Sequence, residues 1–149
     1  MENHSAIAEK PRLYPTTRQL GWWRVYAGLI LFLIADIVVQ VFLAGAGIFA
    51  SGEYLVWHGY HSWLLDLVTF LLLLIGFGAR LPRPLNWLGA VLFGLVFSQA
   101  ALIHASRDFR APLASAFHPV FALFIFVLAF FLRSRVQQLI RAQRTEVGL

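Results

Sequence analysis

Long apolar stretches alternate with short polar ones four times along the chain. Roughly residues 23–48, 58–77, 85–103 and 113–132 are each mostly apolar, and a helix of about 20 such residues is long enough to cross the hydrocarbon core of a bilayer. The connectors "FASGEYLVW", "GARLPRP" and "HASRDFRAP" are short, which makes consecutive helices antiparallel neighbours. The pattern predicts an all-α membrane protein, an antiparallel up-down-up-down four-helix transmembrane bundle over residues 23–132. A cytoplasmic tail over 1–22 precedes it and a basic cytoplasmic tail over 133–149 follows it.

Composition agrees with that solvent. The 149 residues are 60% hydrophobic and only 13% charged, against roughly 25% charged in soluble domains. The absence of cysteine excludes disulfides, thiolate metal sites, iron–sulfur clusters and thiol catalysis within this chain.

Twelve Lys and Arg outnumber seven Asp and Glu, a surplus that in a soluble chain would suggest nucleic acid. Here the basic residues flank the apolar stretches, so topology accounts for them and no nucleic-acid partner is expected. Lys10, Arg12, Arg18, Arg24, Arg80, Arg83, Arg133, Arg135, Arg141 and Arg144 fall on one side, and only Arg107 and Arg110 on the other. The positive-inside rule then predicts a multi-pass membrane protein with both termini in the cytoplasm. The polar residues before the first stretch argue against a cleaved signal peptide. Trp22, Trp23, Tyr26 and Trp87 would mark the inner interface, and Tyr54, Trp57, Tyr60, Trp63 and Phe109 the outer one. Residues 133–145 can continue the last helix as a basic surface resting on anionic lipid.

This topology gathers histidines that are scattered in sequence. His58 and His61 open the second stretch, His104 closes the third and His118 opens the fourth, all at the outer end; only His4 is elsewhere. Helical phase separates them. His58 shares a face with Ser62, Leu65, Thr69 and Gly76, polar and small residues that turn toward other helices in a membrane bundle. His61 is about 60° away and shares its face with Leu65, Val68 and Leu72, which predicts a lipid-facing ring. His118 precedes Pro119, which would bend a helix starting at Pro112.

The two halves also echo each other: Gln40 precedes His58 by eighteen residues and Gln99 precedes His118 by nineteen. Two hairpins related by a pseudo-two-fold axis along the membrane normal would place His58 and His118 in equivalent positions.

Further polar residues interrupt the apolar stretches. Asp36 lies near the middle of the first, with Gln40 one turn on, and Asp66 lies two turns inside the second. A carboxylate at that depth costs about 2.5–3.5 kcal/mol on insertion scales. Each is therefore either interhelical glue or a proton-accepting or ligand-orienting group below the histidines.

The runs "VVQVFLAGAGIF" (38–49), "ARLPRP" (79–84) and "AFHPVFALFIF" (116–126), with the histidine opening the second helix, resemble a family of small bacterial four-span membrane proteins of unknown function. The resemblance covers about residues 24–135 and implies fold and location but no activity. That family usually has Asn after His-Pro-Val; here Phe121 stands there, so any hydrogen bond made by the amide is missing. A looser similarity, in histidine placement alone, is to b-type membrane cytochromes that hold haem between histidines of facing helices.

Three functional readings follow. The first is haem b held axially by His58 and His118 near the outer face, with Arg107 and Arg110 on the propionates, for electron transfer or redox sensing. The second is a smaller metal ion held by His58, His118, His104 and His61. The third is a non-catalytic membrane subunit or packing protein with no cofactor, supported by the small residues Ala90, Gly94 and Ser98, a surface suited to close helix contact; beyond the lipid bilayer, the partners open to these readings are a redox protein, another membrane protein or a second copy. No motif of a hydrolase or group-transfer enzyme is present.

Overall fold

A computed structural model describes residues 15–110 and 112–147, without the side chains of residues 107, 112 and 144–147. His4, Lys10 and Arg12 lie outside the described residues, as do the side chains of Arg107 and Arg144. The described chain is all-helical: α1 Thr17–Phe49, α2 Glu53–Gly78, α3 Arg83–Asp108, α4 Pro112–Ser115 and α5 Phe117–Val147. All but α4 are long and apolar enough to cross a membrane.

The helices outrun the apolar stretches because polar signals set their ends. At the start of α1, Thr16 Oγ1 accepts from the Gln19 N–H at 3.2 Å and Gln19 Oε1 accepts from the Thr16 N–H at 2.9 Å. This reciprocal capping box satisfies two donors of the first turn, so the helix begins well before Trp23. α5 runs on to Val147 because Leu132, Val136 and Ile140, one turn apart, stay buried in the same cluster as Trp23.

The fourth apolar stretch is two helices, not one. Pro119 has no N–H to offer the Ser115 carbonyl, and the chain turns at Ala116, whose N–H bonds Leu113 O at 3.1 Å. The bend expected within a continuous helix is therefore a break, and His118 sits in the first turn of α5. Ser106 and Ser115 hydrogen-bond through their hydroxyls and tie α4 to the end of α3.

α1 and α3 each pack against both α2 and α5, so the four long helices form a ring of neighbours. Along α1, Trp23 meets Ala79, Tyr26 meets Gly76, Asp36 meets His61, Gln40 meets His58 and Gly47 meets Leu55. As the numbering rises on one helix it falls on the other. α3 lies against α2 in the same sense, with Asn86 at Gly76 and Phe93 5.9 Å from Phe70.

α2 closes with a Schellman turn in which the Arg80 N–H bonds Phe77 O and the Leu81 N–H bonds Gly76 O, both at 3.1 Å. Arg80 takes φ 52° to make it. That left-handed conformation costs a side-chain-bearing residue about 1 kcal/mol, so Arg80→Gly is expected to raise stability by about that amount, read as a higher midpoint of thermal denaturation in detergent.

Packing is lopsided. Tyr26, Ile30, Leu33, Leu72, Leu92, Leu132 and Val136 are fully buried, all in the half of the bundle nearer the α2–α3 connector. Among the described residues, no hydrophobic side chain is buried between Ile37 and Val68, nor between Val96 and Ile125. The other half is thus held together without a close-packed apolar core. On the outside, Phe42, Leu74, Phe97 and Leu123, one from each long helix, are 53–66% exposed. An apolar surface on every side is foreign to a protein surrounded by water.

Candidate functional site

The loosely packed half holds a polar cluster contributed by all four long helices. α1 supplies Asp36 and Gln40, both buried; α2 supplies His58, His61 and Asp66; α3 supplies Gln99; α5 supplies His118. Its centre is the His58–His118 contact, with ring centroids 6.0 Å apart and planes at 70°. These two helices are not neighbours in the ring, so the histidines reach across the middle of the bundle.

His58 Nδ1 lies 3.0 Å from the Gln40 carbonyl oxygen. A carbonyl can only accept, so Nδ1 carries the proton of this bond and, in the neutral ring, Nε2 keeps a lone pair. His118, across the bundle on α5, has its Nδ1 buried without a hydrogen-bond partner in the protein. The Gln–His spacing of the first hairpin thus corresponds to a backbone-to-imidazole hydrogen bond.

His61 corrects the phase argument. It is only 30% exposed, and its Nδ1 lies 3.2 Å from Asp36 Oδ1, within ion-pair range but off the line of a good hydrogen bond. A helix in a four-membered ring faces two neighbours about 90° apart. The inward arc is therefore wide enough to take both His58 and a residue 60° from it, and a single-face reading of α2 was too narrow.

Asp36 is 4% exposed at its side chain, so the pair is coupled to stability. His61→Leu alone leaves the carboxyl group without its partner and is expected to cost roughly 1–3 kcal/mol. Asp36→Leu/His61→Leu removes both and is expected to recover most of that loss, as measured by thermal denaturation of both variants in detergent.

The remaining expected site residues do not join this centre. His104 is exposed on α3. Arg110 is exposed at the end of α3 with φ 51°, and the Arg107 side chain lies outside the described residues. Among the described residues no three His, Asp or Glu side chains are close enough together to hold one metal ion.

Much of the cluster is unsatisfied. Asp36 Oδ2, both side-chain polar atoms of Gln40 and of Gln99, Asp66 Oδ1 and His118 Nδ1 are buried with no hydrogen-bond partner in the protein. Buried polar groups are otherwise nearly always paired, and each exception needs a reason. Every member of this set interrupts an apolar stretch of the sequence or borders one, but composition carries no signal that these groups would be left unpaired.

Fold and cluster together define an all-helical protein with four apolar helices and a polar centre in one half. Over residues 40–106 the chain matches a family described as "Family of unknown function (DUF6220)". The matched segment begins at Gln40 and includes His58, His61, Asp66 and Gln99, but ends before His118. No curated protein and no solved structure matches the chain.

Proposed function

We propose that this is an integral membrane protein of the bacterial cytoplasmic membrane, an up-down-up-down bundle with both termini in the cytoplasm, that binds haem b between His58 and His118 near its outer face. The role fitting that place is electron transfer or redox sensing. The observation carrying this reading is the His58–His118 pair, 6.0 Å between centroids, bridging the half of the bundle that lacks an apolar core.

Several features support it. Imidazole–metal bonds are about 2.0–2.1 Å, so two imidazoles on opposite sides of one ion place their ring centres roughly 6 Å apart. A ligating histidine typically gives its other ring N–H to a backbone carbonyl or carboxylate, which fixes the tautomer and the ring plane; His58 does this with Gln40. Two protein ligands suffice for haem, whose porphyrin supplies the other four, whereas zinc or copper usually takes three or four. The unpaired side-chain amide of Gln40, on the residue whose carbonyl holds His58, would supply a polar partner beside such a group. When bound, haem would supply a one-electron redox centre; the chain's part is to hold the two rings and exclude water.

The test is the visible spectrum of the full-length protein purified from haem-supplemented cells, oxidised and reduced. A low-spin b-type spectrum with about one haem per chain is the expected result. A protein that remains colourless after supplementation and after haem titration in detergent overturns the reading and leaves a non-catalytic bundle glued by its polar centre.

A further inference from the structure

At the end of the bundle away from the histidines, α1 and α5 enclose a groove of about 280 Å³. Arg24, Arg133 and Arg141 wall it, and Ala27, Gly28 and Leu31 contribute an apolar floor. None of its described lining residues is acidic. Arg133 is half-buried, and its Nε is buried without a protein acceptor. Arg135, two residues on, is differently placed: it lies over the Phe131 ring at 4.9 Å and donates to Gln138 at 3.4 Å. Gly28 keeps the floor open, since no atom lies within 4 Å of where its Cβ would stand.

Cationic walls over an apolar floor suit an amphiphile. A free anion gains nothing from Ala27, Gly28 and Leu31, and a neutral lipid gains little from three guanidinium groups. The eight residues from Arg24 to Leu31 span roughly 10 Å of helix, enough for a phosphodiester, the glycerol and the first methylenes of a chain. Guanidinium also matches phosphate oxygens in a planar fork.

We infer that this groove binds one anionic glycerophospholipid, its phosphate held by Arg24 and Arg133 and an acyl chain laid along Gly28 and Leu31. The inference rests on the reading that the four helices span a bilayer, and it makes the basic end of the bundle a lipid-selective site and not merely a diffuse positive surface.

The experiment titrates the full-length protein in neutral detergent with phosphatidylglycerol, phosphatidylcholine or inorganic phosphate, counting bound lipids by native mass spectrometry. One phosphatidylglycerol is expected per chain, bound about tenfold or more tightly than phosphatidylcholine. Arg24→Gln and Arg133→Gln are each expected to weaken it about fivefold, and Arg135→Gln to leave it unchanged. If Arg133→Gln does not fold, Arg24→Gln decides alone. Equal binding of the two lipids, wild-type binding by the Arg24 and Arg133 variants, or competition by inorganic phosphate alone overturns the proposal. Failure of the membrane reading shows separately, as release of the protein from cell membranes by alkaline carbonate.

Discussion

Replacing either His58 or His118 by alanine is expected to abolish the low-spin haem spectrum, whereas His104→Ala and His61→Ala leave it in place. Among the described histidines, His58 and His118 form a ring pair across the bundle, at 6.0 Å. His61 is engaged with Asp36 at 3.2 Å and His104 is exposed. His58 and His118 would each hold the haem from its own helix, so loss of either ring would change the spectrum and loss of both would end retention. The fold survives the single changes: His58 contributes one hydrogen bond to Gln40, worth about 1 kcal/mol, in a half of the bundle with no buried apolar core to collapse. Far-ultraviolet circular dichroism checks that survival independently of the cofactor. Equal loss of colour in the His104 variant would show that the ligands lie elsewhere.

How far the sequence foretold this site depends on the kind of signal. The positions of the helices follow from long apolar runs, since hydropathy is a local sum. Their ends do not, because the capping box at Thr16 and the buried Val136 and Ile140 lie outside those runs. The joining of His58 with His118 could be anticipated from topology and the Gln–His echo. The placement of His61 could not: a helical wheel knows the angle between two residues, but the width of the inward arc is set by where the neighbouring helices stand. The break at Ala116 was half legible; Pro119 announces a disturbed turn, but whether the helix bends or breaks depends on what holds α4, here the Ser106–Ser115 bond. Unsatisfied amides at Gln40 and Gln99 are a property of the assembled bundle alone.

The close-packed half makes the other large prediction, and it turns on two glycines around one tyrosine. Tyr26 is fully buried on α1. A Cβ at Gly89 of α3 would stand 2.8 Å from its hydroxyl oxygen, and one at Gly76 of α2 would stand 3.3 Å from its Cε2 and 2.9 Å from Asn86 Oδ1. Neither neighbour can easily yield. Asn86 is held by its Nδ2 bond to Leu81 O at 3.0 Å, and Tyr26 has no exposed side to move into. In a bilayer the lipid is as apolar as the core, so close approach and dispersion contribute most of what holds helices together. Gly76→Leu and Gly89→Leu are each therefore expected to destabilise the bundle by about 3 kcal/mol, at the upper end for overpacking. Gly59→Leu and Gly94→Leu test the opposite case, since a Cβ at either position meets nothing within 4 Å. Both should be neutral, or stabilising by up to about 1 kcal/mol from helix propensity. Denaturant titration in mixed micelles orders the four variants. If the Gly59 and Gly94 variants lose as much stability as the Gly76 and Gly89 ones, the tight seam does not run through Tyr26, and the division into a packed half and an open half fails with it.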